Sequence, residues 1–508
     1  MRRIPTISAL SAVVAAVLLA CAAAASGGTA FGVADDAGKY ADDGGSNFFL
    51  LLNDLGFTQN RISVFWDPTD GNDGFNIRER GFLDRALPVA AIRGIDVVLD
   101  VSPLRARVFT VDTQKRIELF ASYLELLART YPQVTRFVVG NEPNQPRFHQ
   151  PQFLPRRSGG FRATAGELYA RVLAASYDAL KGVNPEIKVI GLGLSPRGND
   201  NPRAKNNISR SPVRFIRDLA HAYRRSGRTE PLMDELGFHP YPASNTSPLS
   251  QGYRWPNAGL SDLDRLKQAI WDGFHGTAQP VFAETALYGP PAPGRASLGL
   301  VLDEYGRQVT VISSVASVYH GRENVRTITE GQQANMYAAV LHRVVCDPTV
   351  SSFYYFHLVD DPDLDRFQSG LLRLDWTKRP AYNAVKGALA ASRGECNRTP
   401  QPWRHTETVV GADVTFGDDG SLTLEAAEEA TARTGIFPTT ATEAEITTTL
   451  SRGAVKLRLV RAYRPTRIDV VAKAPATRTY VHAVLLRAAM NPERKFLAVS
   501  DPLVVSAS

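Results

Sequence analysis

The sequence predicts an α/β protein, a closed (β/α)8 barrel followed by a small all-β, sandwich-like domain. Three observations carry this expectation. Short β-rich runs alternate with amphipathic helical stretches eight times between about residues 31 and 391, and eight such units are the number that closes a parallel barrel. No G-x-G-x-x-G follows the first run, which weakens the alternative of a doubly wound open sheet. Beyond Pro400-Gln401-Pro402 the pattern changes to period-2 alternation, the signature of half-buried strands.

The elements follow in order. FGV (31–33) reads as the first strand, and 45–55 as a helix stopped at Gly56. NRISVF (60–65) is the second strand, followed by helical sequence over 77–92. IDVVLDV (95–101) is the third, with a long amphipathic helix over 112–131. VTRFVVG (134–140) is the fourth, with its helix over 164–180. KVIGLGL (188–194) with 211–225, and ELGFH (235–239) with 261–274, form the fifth and sixth pairs.

PVFAE (280–284) reads as the seventh strand. Its helix starts late, where Thr329 and Gln332 have the N-cap and N3 spacing of a capping box, and runs to about 345. The segment 288–329, containing PPAP (290–293), then reads as a long loop shaping a cleft wall. SSFYYFH (351–357) is the eighth strand and 379–391 the last helix. In the C-terminal part, Asp418-Asp419-Gly420-Ser421 punctuates a hairpin. Sugar-binding modules present flat aromatic rings, and Trp403 beside the linker is the only Trp there, so a spacer role is favoured over glycan binding.

Composition narrows the function classes. The 508 residues are too many for one ordinary domain, and 44% hydrophobic with 21% charged residues is normal for a chain with a sizeable core. The net charge is +7 without a dense Lys/Arg tract, which argues against nucleic acid as a partner. Met1-Arg2-Arg3 and the small, apolar run from Ala9 to Ala25 have the layout of a secretory signal, so a secreted protein is expected. LLAC, ending at Cys21, is similar to a bacterial lipoprotein box, making a lipid anchor at Cys21 the alternative to free secretion. No other stretch is apolar enough to span a membrane. The expected organisation is a leader over 1–30, a catalytic barrel over 31–398 and a β-domain over 403–508.

With Cys21 in the leader, Cys346 and Cys396 remain. An even pair in an exported chain reads as a disulfide. No ligands stand at metal-site spacing, and neither a metal nor another cofactor is expected.

Reactive residues of such a barrel sit at the C-terminal ends of its strands. The second strand offers Arg61 and Trp66, the fourth Asn141-Glu142, the sixth His239 and Tyr241, the seventh Glu284 and the eighth Phe356. Each has a structural reading when taken singly: a helix-entry turn for Asn141-Glu142-Pro143, a surface loop for Glu284, a structural ion pair for Arg61, rim packing for His239 and Tyr241, core for Trp66. Jointly they place two carboxylates and aromatic walls around one pocket. That set suits glycosidic bond hydrolysis, in which one carboxylic acid protonates the leaving oxygen and a second carboxylate attacks or activates water at the anomeric carbon. Arg61 is expected to keep Glu284 charged.

These motifs resemble those of the clan A glycoside hydrolases. Asn141-Glu142-Pro143 matches their fourth-strand Asn-Glu-Pro motif and Glu284 stands for the carboxylate ending their seventh strand. RISVFW resembles the strand-two motif, with Ser63 where that motif carries Pro, and His239-Pro240-Tyr241 the sixth-strand His-x-Tyr. GLLRLDWTKRPAYNAV resembles the segment entering the last helix. The resemblance spans about residues 31 to 391, with features like family 39 and family 5, and departs in placing Phe356 where the clan usually has a Trp floor. It implies Glu142 as acid/base, Glu284 as nucleophile, Arg61, Trp66, Asn141, His239, Tyr241 and Phe356 around an oligo- or polysaccharide, and a β-linked substrate cleaved with retention. The carboxyls are then expected about 5–5.5 Å apart. The alternative is a catalytically inactive barrel that binds glycan or cell wall.

Overall fold

The computed structural model describes residues 28–253, 256–284, 297–392, 394–396 and 403, with the backbone of further strands between 412 and 506. The leader expected over 1–30, including Cys21, lies outside the described residues apart from residues 28–30. Eight parallel strands close a barrel in sequential order. They are β1 (Ala30–Ala34), β2 (Gln59–Trp66), β3 (Asp96–Pro103), β4 (Arg136–Val139), β5 (Lys188–Leu194), β6 (Glu235–Phe238), β7 (Gly299–Tyr305) and β8 (Val350–Tyr355). The helices between and after them are α1 (Ser46–Leu55), α2 (Arg80–Ile92), α3 (Thr113–Thr130), α4 (Ala165–Val183), α5 (Pro212–Ser226), α6 (Leu263–Phe274), α7 (Glu330–Val344) and α8 (Pro380–Ser392).

The strands bury both faces, which is why they read as apolar runs rather than as alternating ones. Ala34, Val98, Val138, Ile190, Val301 and Tyr354 pack together inside the barrel. The opposite strand faces meet the apolar stripes of the helices in a thicker shell that includes Ile62, Val64, Leu99, Phe137 and Leu236. Helix ends obey local chemistry. Gly56 closes α1 in a left-handed conformation that only glycine adopts freely. Thr329 and Gln332 form the reciprocal capping box at the start of α7.

One strand is not where the sequence predicts it. Residues 280–284 form no strand, and β7 lies within the segment expected to be a loop. The run Leu298 to Leu302 supplies the apolar strand, while its end in two consecutive acids, Asp303-Glu304, disguises it.

The C-terminal strands pair antiparallel in one four-stranded and one five-stranded sheet. Ala412–Phe416 and Ser421–Ala426 form the hairpin expected around Asp418-Asp419-Gly420.

Cys346 and Cys396 are joined as a disulfide across 50 residues. A loop of that length contributes about 4 kcal/mol by the chain-entropy model. Cys396→Ala is therefore expected to lower the unfolding free energy by roughly 3–4 kcal/mol. Denaturant unfolding checks this, and a midpoint equal to that of the wild type would show that the crosslink contributes nothing. No described helix is long and apolar enough to cross a membrane.

Candidate active site

The C-terminal strand ends converge on one guanidinium. Arg61, almost fully buried on β2, donates from Nη1 to Glu304 Oε1 at 2.7 Å. From Nη2 it donates to Asp100 Oδ2 at 2.8 Å and to Asn141 Oδ1 at 3.0 Å. These bonds tie the ends of β2, β3, β4 and β7 to one planar group, whose fork geometry suits several acceptors at once.

The turn after β4 explains a glutamate at the end of an apolar strand. Gly140 and then Glu142 adopt positive φ, +76° and +37°, an uncommon conformation for a residue with a side chain. It lifts the Glu142 carboxylate above the strand end. The turn is pinned from behind: the Glu142 amide donates to the Gly193 carbonyl at 3.1 Å. The buried Asn144 side chain donates to the carbonyls of Ser195 and Arg210 and accepts from the Ser195 amide. Glu142 Oε1 then lies 3.0 Å from His239 Nδ1. Pro143 is part of the same clamp, its carbonyl accepting from Gln152 Nε2 at 2.9 Å.

β6 supplies the two groups after it. The Tyr241 hydroxyl donates to Glu304 Oε2 at 3.0 Å. His239 is fully buried, with Nδ1 also 3.4 Å from Glu304 Oε2 and Nε2 3.4 Å from Asp303 Oδ1. His239 Nδ1 thus stands between the two carboxylates, 3.0 Å from Glu142 Oε1 and 3.4 Å from Glu304 Oε2.

The acid at the end of β7 is therefore Glu304, which corrects the expectation of Glu284. Glu284 precedes β7 and is not among the residues lining the site groove. The carboxylate that Arg61 holds is that of Glu304. The register between β7 and β8 shows how two neighbouring acids both reach the centre. Leu302 pairs with Phe353 and Tyr305 with Tyr355, so Asp303 and Glu304 together face the single residue Tyr354. This is a β-bulge, which re-aims side chains next to sites. Asp303 continues the inward parity of Val301, and the bulge turns Glu304 inward above it. A glycine makes the room: a Cβ on Gly237 would stand 2.9 Å from Asp303 Oδ2.

Trp66 is the second correction. It is 1% exposed and packs on Phe109 and Phe120 in the shell between barrel and helices, away from the groove. Phe356 does line the groove, edge-on to Tyr241 and Phe367, as do Asn141 and Tyr241. His239 lies beneath it, touching the carboxylates from the buried side. Sequence reasoning missed Glu304 and Asp303. The signal present was an apolar run ending in Asp-Glu-Tyr-Gly.

The electrostatics divide the groups. Burial opposes charge on His239, but Glu304, Asp303 and Glu142 outweigh it and hold the imidazolium well above the ordinary 6.5. Burial would raise Asp303, yet His239 and Arg61 hold it below the ordinary 3.8. Burial and then Glu304 push the Tyr241 phenol well above 10, so it is a neutral donor. Because folded His239 binds its proton more tightly than the unfolded chain, its contribution to stability is complete below pH 6.5 and drains away as pH rises through the folded value. The contribution of Asp303 is complete above pH 3.8 and is lost as pH falls through its lower folded value. Asp303→Asn removes one of the charges that hold the proton on His239. Its alkaline loss of stability is expected to be smaller and to end at lower pH than in the wild type. Thermal midpoints across neutral to alkaline pH check this, and coincident profiles would show that Asp303 does not hold that charge.

The site opens into a groove of about 1680 Å³. Ser63, Phe65 and Ser102 on the strand ends, and Phe148, Tyr253 and Phe367 on the loops, form part of its walls.

No family model matches the chain, and no curated protein matches it in sequence. Among solved structures it is similar to a family 5, subfamily 18 glycoside hydrolase from Streptomyces cattleya in complex with GlcNAc, at 16% identity. That match covers 74% of this chain and 82% of the other, with a TM-score of 0.45. A glucosidase from Croceicoccus marinus is 14% identical over 83% of this chain and 74% of its own, with a TM-score of 0.43. Xylanase 10B from Thermotoga maritima is 12% identical over 72% of this chain and 95% of its own, with a TM-score of 0.40. At such identities the likeness is one of fold alone.

Proposed function

We propose that the protein is a retaining glycoside hydrolase acting on an extracellular, β-linked glycan. One observation carries the reading. Glu142 and Glu304, from opposite sides of the barrel mouth, share one histidine, and only Glu304 is also bound by an arginine and a tyrosine. Two carboxylates in different surroundings are what double displacement needs.

Glu304 is the nucleophile. Its oxygens are fixed by Arg61 and Tyr241, and its attack on the anomeric carbon breaks the bond to the leaving oxygen. Glu142 gives that oxygen a proton. In the second step Glu142 takes a proton from water, the hydroxide adds to the anomeric carbon, and Glu304 leaves as a carboxylate. Asn141 and Phe356 line the pocket around the reacting sugar. Glu142 Oε1 and Glu304 Oε2 both lie within 3.4 Å of His239 Nδ1, which suits two carboxylates acting on one sugar. The disulfide fits an oxidising, extracytoplasmic setting.

The experiment is a panel of 4-nitrophenyl β-glycosides, with the anomer of the first product followed by NMR. Release of the β-anomer supports the reading, and release of the α-anomer contradicts it. Hydrolysis of none, together with glycan binding, would instead indicate an inactive, binding barrel.

A further inference from the structure

Trp376 stands on the loop between β8 and α8 with a backbone φ of +65°. A bulky side chain adopts that left-handed conformation at a cost, whereas glycine adopts it freely. Strain of this kind persists where the surroundings hold it, and here they do. The Trp376 amide donates to the Arg373 carbonyl at 2.9 Å and the Arg373 amide to the Thr377 carbonyl at 3.0 Å, closing a tight hairpin. Asp375 Oδ1 accepts from the amide and hydroxyl of Thr377. Arg373 forks onto Glu330 at 2.8 and 2.7 Å, anchoring the hairpin to α7.

Nothing in this framework uses the indole. Trp376 is 37% exposed and is one of the residues that line the groove, as are His357, Val359 and Leu374. Both flanking cations are engaged elsewhere, Arg373 on Glu330 and Lys378 over the ring of Tyr382 at 4.0 Å. A large flat ring has thus been placed at a strained position, aimed at the groove that holds the paired carboxylates.

We propose that Trp376 is a sugar-stacking platform for a pyranose of the bound glycan other than the one being cleaved, making the groove a multi-sugar site. The proposal rests on the glycosidase reading for the identity of the ligand. The axial C–H groups on one face of a pyranose carry partial positive charge and complement the electron-rich face of the indole. The ring also buries apolar area on contact. A platform away from the reacting carbon helps only substrates long enough to reach it.

The test compares wild type, Trp376→Gly and Trp376→Phe in the full chain. The substrates are the 4-nitrophenyl β-glycoside cleaved fastest by the wild type and the β-linked tetrasaccharide of the same sugar. Trp376→Gly is expected to melt no lower than the wild type, since glycine relieves the strain. Its ratio of kcat/KM on the tetrasaccharide to that on the aryl glycoside should fall by about tenfold or more, mainly through KM, and Trp376→Phe should restore much of it. An unchanged ratio overturns the platform while leaving the glycosidase reading standing. If the wild type cleaves nothing, affinity electrophoresis in xylan, mannan, laminarin and hydroxyethylcellulose decides. Retardation lost in Trp376→Gly supports the platform and overturns the hydrolase reading, whereas retardation absent or unaltered overturns the platform.

Discussion

Glu304→Ala is expected to lose turnover on every glycoside by at least about 10⁴-fold, the scale on which enzymes lose rate when a covalent nucleophile is removed. No leaving group can compensate, because the missing bond is the one to the anomeric carbon. Azide, small enough to enter the space vacated by the carboxylate, should restore turnover and give the α-azide from a β-glycoside. The paired control is Glu284→Ala, which lies outside the groove lining. It should retain turnover, in contrast to the loss at Glu304. The reverse pattern would return the nucleophile to Glu284 and overturn the reading of β7.

The second large effect separates the other carboxylate by its dependence on the leaving group. Glu142→Ala removes the proton donor, worth about 10²–10⁴-fold on a substrate with a poor leaving group. A dinitrophenyl glycoside leaves without that proton, so its first step should survive. The reaction should then stall at the glycosyl-enzyme, because Glu142 also activates water. A burst of dinitrophenolate followed by a slow steady state is the expected trace, and azide should give the β-azide. If loss of activity were equal for good and poor leaving groups, Glu142 would not be the acid.

Much of this architecture is legible in the sequence, and the failures have physical causes. Strands β1 to β6 and β8 are short runs rich in apolar β-formers, and the eight helices carry apolar stripes. Glu142 is visible because an acid directly follows a buried strand. Trp66 illustrates a rule that was available. It lies five residues from Arg61 on an extended strand, an odd separation that sends it to the opposite face. Arg61, Ser63 and Phe65 line the groove, while Ile62, Val64 and Trp66 pack outward against helices.

β7 is harder to see. Period-2 alternation places only one of Asp303 and Glu304 inside the barrel, and two consecutive acids argue against a strand at all. The bulge that admits both is a property of pairing with β8, and pairing is not written in the local sequence. PVFAE, with its β-formers and terminal acid, offered a more regular strand nearby. Asp303 is the buried counter-charge to Arg61 and His239, and that role too emerges only when distant strands meet.

The central claim is that the carboxylate on Arg61 and Tyr241 forms the covalent bond to sugar. Incubation with a 2-deoxy-2-fluoro β-glycoside carrying a dinitrophenyl leaving group should trap the glycosyl-enzyme, because the fluorine slows the second step more than the activated first one. Intact mass followed by peptide mapping locates the adduct. The structure predicts one added sugar, on the peptide containing Leu302-Asp303-Glu304-Tyr305 and on Glu304 itself. An adduct on Glu284 or Glu142, or hydrolysis with inversion and no adduct, would contradict it.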